Sequence, residues 1–211
     1  MPGYRGRVAA GTQGKYQVRF AWGVGGAERI ARDAHLVVWV DVLPEPGRDA
    51  SRGTDGTARA RAAAALLPDG PEVVLGHLDN ATAVAERVTC LQAERGDRCV
   101  VAVVAAGRST GGGAAVADDA GEPADTAEVP ESTVEDLLAA GAVVDALVAT
   151  GIDHTSPEAA VACAAYTGLR RAVRHLVSAA EWASDLDPET VRGALAAGPD
   201  LVVLRESSAA A

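Results

Sequence analysis

Three carboxylates hold positions from which hydrolytic chemistry could be done: Asp41, Glu135 and Asp136. Asp41 interrupts the apolar run Leu36-Val37-Val38-Trp39-Val40-Asp41-Val42-Leu43 near its C-terminal end. In open α/β sheets ligands gather outside the carboxyl ends of the strands, so an acid there can hold a metal or take a proton. Glu135 and Asp136 fall in the first turn of a helix opened by Ser132-Thr133-Val134-Glu135. Hard carboxylate oxygens without imidazole or thiolate suit Mg²⁺, which uses one or two carboxylates together with substrate phosphate. Such an ion polarises a phosphoryl oxygen and orients an attacking water. Each acid also has a structural explanation. Asp41 could bond loop amides ahead of Pro44. Ser132 and Glu135 match a capping box, with Ser132 as cap and Glu135 at the third helical position, and Asp136 suits the positive end of the helix dipole. A fourth candidate is the junction His77-Leu78-Asp79-Asn80, where Asp79 or Asn80 could cap a helix or the same amides could take a phosphate.

Other chemistries find no support. The chain has no GxSxG nucleophile elbow, and Gly11-Thr12-Gln13-Gly14-Lys15 has the wrong spacing for a phosphate-binding P-loop. Gly23-Val24-Gly25-Gly26 lacks the third glycine and the ribose-binding acid of a dinucleotide fingerprint, so it reads as a turn. His35, His77, His154 and His175 are dispersed, which gives zinc no ligand set. The formal net charge is -10 and Lys15 is the only lysine, which argues against nucleic acid or an anionic membrane as partner. Cys90, Cys99 and Cys163 show no paired spacing. With no signal peptide read at the N-terminus, they lead us to expect a cytoplasmic protein. No apolar segment approaches the roughly 20 residues needed to span a bilayer.

The elements that must position these groups alternate along the chain. Residues 1–14 read as a loose tail. Tyr16 to Trp22 alternates as a strand with one buried face, followed by a helix to about Arg32. Leu36 to Leu43 reads as a strand covered on both faces. Residues 44–57 lack periodicity and read as a flexible loop, and Ala58 to Leu67 as an alanine-rich helix. A strand follows at Glu72 to Gly76, then a helix to about Arg95, then a strand at Cys99 to Ala106. Residues 108–131 read as a second flexible loop. The helix after Ser132 runs to about Ala149. Ser156-Pro157-Glu158 opens a helix continuing to about Trp182, and Asp187-Pro188-Glu189 opens another ending before Gly198. Leu201 to Leu204 is a last strand. The 211 residues therefore make one α/β domain, with a mostly parallel sheet covered by helices and a helical C-terminal part. An exposed strand edge covered by a second subunit would make a homo-oligomer.

The order of certain segments carries a resemblance. Tyr16-Gln-Val-Arg-Phe-Ala-Trp-Gly23, Val40-Asp-Val-Leu43, Leu75-Gly-His-Leu-Asp-Asn-Ala-Thr-Ala-Val-Ala85, Val103-Val-Ala-Ala-Gly107 and Val134-Glu-Asp-Leu-Leu-Ala-Ala-Gly-Ala142 follow one another as in the ComB family. These are the 2-phosphosulfolactate phosphatases, and the chain resembles their actinobacterial members over about three quarters of its length. The resemblance implies an α/β fold and Mg²⁺-dependent hydrolysis of a small phosphate monoester to a hydroxy acid and phosphate. It implies Asp41 and Glu135 as catalytic groups, Asp41, Glu135 and Asp136 as metal or water-positioning groups, and Asn80 and Arg108 as substrate contacts. The chain departs from the family in Pro44-Glu45-Pro46-Gly47, where the family is rich in Ser and Thr. It also departs in the short span from Pro44 to Val73, where the family has a further strand and helix. The family's Gly-Glu-Arg is here Gly107-Arg108, without the acid. Two readings follow: a working phosphatase with altered loops, or a catalytically degenerate relative that keeps the fold for binding or assembly.

Overall fold

The computed structural model describes residues 13–44, 56–108 and 130–208. At its centre is β2 (Leu36–Val40), a run of five buried residues that pairs with β4 (Val101–Ala105) on one side and β3 (Glu72–Gly76) on the other. The strand order is β1-β4-β2-β3-β5, with β1 at Val18–Trp22 and β5 at Val202–Arg205. All pairings are parallel except β3 with β5. Parallel strands need helical crossovers, and those helices cover both faces of the sheet, which is why β2 and β4 can be apolar at every position.

The alternation of side chains along β2 divides the interior in two. Leu36, Val38 and Val40 face one core with Val101, Val103 and Ala105. Val37 and Trp39 face the other with Ala102 and Val104. Over the first face lie α3 (Ala81–Arg95), α4 (Val134–Ala149), α5 (Pro157–Leu169), α6 (Val173–Ser178) and α7 (Pro188–Leu195). Over the second lie α1 (Gly23–Ile30) and α2 (Gly56–Ala64). The expected α/β class, mostly parallel sheet and helical C-terminal part are therefore present.

Several local expectations need correction. The strand at Asp41 ends at Val40, so the acid stands just beyond it. The first strand buries both faces, because Arg19 is folded under the domain. Its guanidinium reaches the carbonyls of Gly14, Tyr16 and Ile30 and pairs with Asp33. Gln13 is buried rather than part of a loose tail, exchanging two hydrogen bonds with the Phe20 backbone. Gly56 and Thr57 belong to α2 rather than to the loop before it. The rest of the expected tail (1–12) and loops (45–55 and 109–129) lie outside the described residues.

Ser156 and Asp187 cap α5 and α7 as expected, accepting from Ala159 N at 3.1 Å and from Glu189 N and Thr190 N at 3.0 and 2.9 Å. The helix expected from Pro157 to Trp182 is broken instead at Leu169 and resumes as α6. An unbroken run would extend about 39 Å, well past the end of α4, leaving its second half without a core to pack on. The break turns the chain back, so that Val177 and Ala180 join the same core as α4. Asp145 on α4 pairs with Arg170 at the break. The outer edge of β1 is met by residues 154–156 of the same chain, through Val18 N to His154 O at 3.1 Å and Ser156 N to Val18 O at 2.8 Å.

Two features generate tests. A Cβ placed on Gly141 would lie 2.2 Å from Ala162 O across the α4–α5 contact, whereas one on Gly168 would meet nothing within 4 Å. Gly141→Ala should destabilise by about 1–3 kcal/mol through overpacking, and Gly168→Ala should be neutral or stabilise by up to about 1 kcal/mol, as urea melts will read. The second feature joins β2 to β4 where both strands begin. Val100 N donates to His35 Nδ1 at 2.8 Å, and burial, followed by the Arg95 charge, holds that imidazole below its usual range. The folded state therefore disfavours the proton that the unfolded chain takes first. That contribution to stability is full above about pH 6.5 and is lost as pH falls below it. His35→Gln should lose less stability than the parent chain between pH 7 and pH 5.

Candidate active site

Past the carboxyl ends of β2 and β4 the chain brings Asp41, Gly107, Arg108, Glu135 and Asp136 together. The sequence has placed each at an element boundary: Asp41 directly after β2, Gly107 and Arg108 shortly after β4, and Glu135 and Asp136 in the first turn of α4. Asp136 is the pin. Its Oδ1 accepts from Val42 N at 2.8 Å and its Oδ2 from Gly107 N at 3.0 Å, so one buried carboxyl ties the ends of both central strands to α4. Gly107 can present that amide because it is left-handed, with φ +64°, and lies so close to Glu131 that a Cβ would sit 2.5 Å from the Glu131 carbonyl. Desolvation, followed by the charge of Asp41, raises the Asp136 pKa to about 8.

Asp41 is bound in its turn by Arg59 from α2, through Nε to Oδ2 at 2.6 Å and Nη2 to Oδ1 at 3.2 Å. This two-point arginine–carboxylate pair borders a cavity of about 630 Å³. Its lining also includes Val42, Pro44, Thr57 and His77, together with Asp187, Glu189 and Thr190 at the start of α7. Burial keeps the His77 imidazole below its usual range.

On the other side of Asp41 the site is closed. Glu135 is 2% exposed and Arg108 is 4% exposed, with Nη2 of the arginine 3.9 Å from Oε1 of the glutamate. That is an ion-pair distance but too long for a hydrogen bond. Arg108 Nη1 donates to Pro44 O at 3.2 Å, and the guanidinium carbon lies 4.6 Å from the Trp182 ring centre. Arg108 Nη2, Glu135 Oε2 and Thr133 Oγ1 are buried without hydrogen-bond partners. Desolvation raises the Glu135 pKa, against the lowering effect of its own backbone N–H and the Arg108 charge.

The site residues read from sequence are thus partly reunited. Asp41, Glu135 and Asp136 lie close enough for the charges of Asp41 and Glu135 both to raise the Asp136 pKa. Arg108 joins them. Asn80 does not face a ligand: it is fully buried, accepts from His77 N at 2.9 Å and donates to Leu75 O at 2.9 Å, fixing the turn between β3 and α3. Asn80 makes no side-chain cap to α3 either. The expected capping box is also absent, since Thr133 rather than Ser132 occupies the cap position and Glu135 is the second helical residue. Val134 is then the first helical residue, which turns Glu135 and Asp136 inward. Sequence reading missed Arg59, His77, Thr133 and Trp182. Only Trp182 carried a signal, as a bulky aromatic in an alanine-rich helical stretch. Among the described residues no three His, Cys, Asp or Glu side chains converge as a ready-made metal site. No helix among them is long and apolar enough to cross a membrane.

No model of a known protein family matches this chain, and no curated protein matches it.

The differing duties of the two neighbouring acids can be separated by substitution. Asp136→Asn keeps one acceptor but turns an N–H donor against a backbone N–H, so it should cost about 1–3 kcal/mol in a denaturant melt. Glu135→Gln takes the counter-charge from the buried Arg108 guanidinium, so it should cost about 3–5 kcal/mol, more than Asp136→Asn, in the same melt.

Proposed function

We propose that the chain is a Mg²⁺-dependent phosphatase of the ComB kind, hydrolysing a small phosphate monoester related to 2-phosphosulfolactate to a hydroxy acid and phosphate. The observation that supports it most is the crowding of Asp41, Glu135 and Asp136 at the carboxyl ends of the central strands, beside a cavity of about 630 Å³. The charges of Asp41 and Glu135 raise the Asp136 pKa, and a divalent cation relieves such repulsion. The three carboxyls do not converge as a preformed site, but their donors are hard oxygens and Glu135 Oε2 is a buried acceptor without a partner, which supports such an ion. Asp41 and Glu135 would hold it, while Asp136 braces the loops that carry them. When bound, Mg²⁺ supplies polarisation of a phosphoryl oxygen and a more acidic water.

The remaining residues have duties of their own. Arg108, buried and fixed by Pro44 and Trp182, offers Nη2 to an anionic substrate oxygen. Arg59 neutralises Asp41 until substrate and cation compete for it. Burial of Glu135 and Arg108 excludes water, which strengthens every charge interaction there. Three unpaired thiols fit a reducing compartment, and we place the protein in the cytoplasm.

A second reading, a degenerate relative that binds without hydrolysing, is favoured by a different observation. Both Asp41 oxygens are engaged by Arg59, and both Asp136 oxygens accept from backbone amides. The two readings separate in one assay. Phosphate release from 2-phosphosulfolactate and a panel of small phosphate monoesters is measured with Mg²⁺ and with EDTA, on the parent chain and on Asp41→Asn. The hydrolase reading expects Mg²⁺-dependent turnover that falls about 10²–10⁴-fold in the variant. Absence of turnover across the panel, in protein shown to be folded by circular dichroism, would overturn it in favour of the second.

A further inference from the structure

The outward face of α5 carries no charge between its two ends. Ala159 and Ala162 are buried on the side that packs on α4, while Ala160, Val161, Ala164 and Gly168 are exposed, Val161 to 66%. From Ala159 to Leu169 the chain has no charged residue at all. A surface helix ordinarily sets charged and polar side chains opposite its core face, so a bare outer face points to a partner that covers it.

The charges at the two ends say which partner. Glu158 stands in the first turn of α5 and Arg171 two residues past the last, and both are exposed. Among the described residues neither makes an ion pair or a side-chain hydrogen bond. A helix that is acidic at one end, basic at the other and apolar between them complements a reversed copy of itself. A two-fold axis supplies that reversal, because whenever residue i of one copy meets residue j of the other, j also meets i. Setting Glu158 against Arg171 of a second copy puts the axis midway, between Ala164 and Ala165. The same register then sets Val161 opposite Gly168, and this second match follows without being chosen. Gly168 lines an open hollow of about 530 Å³ with its neighbours from Thr167 to Ala172, and a Cβ on it would meet nothing within 4 Å. The protruding valine thus falls where the face is lowest. The axis itself crosses alanines, whose short side chains let two helices approach closely.

We propose that the chain forms a two-fold dimer in which α5 packs antiparallel on α5 of a second copy. Val161 sits over Gly168 and Glu158 pairs with Arg171, each contact made twice. The joining surface is a helix face rather than a strand edge, in keeping with the outer edge of β1 being met by residues 154–156 of its own chain. The inference uses none of the residues at the carboxyl ends of the strands and is independent of the hydrolase reading.

The test is sedimentation equilibrium of the full chain from about 5 to about 500 µM in about 0.15 M salt, where long-range repulsion between two chains of net charge -10 is screened. One helix pair is a small interface, so a dissociation constant of about 10–100 µM is expected. Val161→Glu changes an exposed position and should weaken the dimer more than about tenfold, by placing a carboxylate in the apolar centre of the contact. Glu158→Arg and Arg171→Glu each set like charges together at two symmetric places and should weaken it about five- to tenfold. The double variant exchanges the charges and should return to within about threefold of the parent chain. Circular dichroism checks that each variant is folded, and the concentration series on the parent chain needs no variant. The proposal is overturned if the parent chain stays monomeric throughout, if Val161→Glu leaves a dimer intact, or if the double exchange is as weak as the single ones.

Discussion

Everything at the carboxyl end of this sheet hangs on the two amides that Asp136 receives. Val42 N follows β2 and Gly107 N follows β4, so a single side chain from α4 fixes the exit directions of both central strands. The cost is a carboxyl taken wholly out of water beside two other acids, which is why its pKa climbs to about 8. A purely structural clamp could be made more cheaply with a neutral acceptor. Raised this far, Asp136 is mostly neutral near pH 7 and can brace both loops without adding to the negative charge of its neighbours.

That charge is distributed between two different environments. On the cavity side Asp41 meets Arg59 at hydrogen-bond distance in a partly open setting. On the closed side Glu135 and Arg108 approach only to 3.9 Å and leave one atom each unpaired. A salt bridge that served stability alone would close that gap, because charges buried without full hydrogen bonding repay little of their desolvation. The asymmetry separates a pair that is satisfied from a pair that is waiting.

The fold was largely legible in the sequence, for a physical reason. Leu36 to Val40 and Val101 to Ala105 are apolar at every position, and only a sheet covered on both faces has use for such strands. Ser156-Pro157 and Asp187-Pro188 announced their helices because cap and ring geometry act locally. Legibility failed where the outcome depends on partners far along the chain. The break after Leu169 follows from the length of α4, and the inward turn of Arg19 from carbonyls on either side of its strand. In the site, Asp41, Glu135, Asp136 and Arg108 could be named because each stands at an element end. Arg59 could not, since an arginine in an alanine-rich helix looks like an ordinary solvated charge until α2 is laid on the sheet against β3 and β5. Asn80 misled for the converse reason: its position suits a ligand, but its side chain is spent on the turn that creates that position.

The relation between Arg59 and Asp41 carries the argument furthest. An arginine clasping an acid at a strand end can be a substitute for a lost cation or a placeholder for a returning one. The substitute requires permanence, and permanence in a charge pair comes from burial with every lone pair satisfied. Here the side chains keep 22% and 14% of their exposure and border a cavity, so water and solutes can compete for both partners. A divalent ion brings twice the charge of a guanidinium and a smaller radius, and the further negative charge of Glu135 favours it again. The pair is therefore better suited to exchange than to permanence, and that supports the role proposed for Asp41 above.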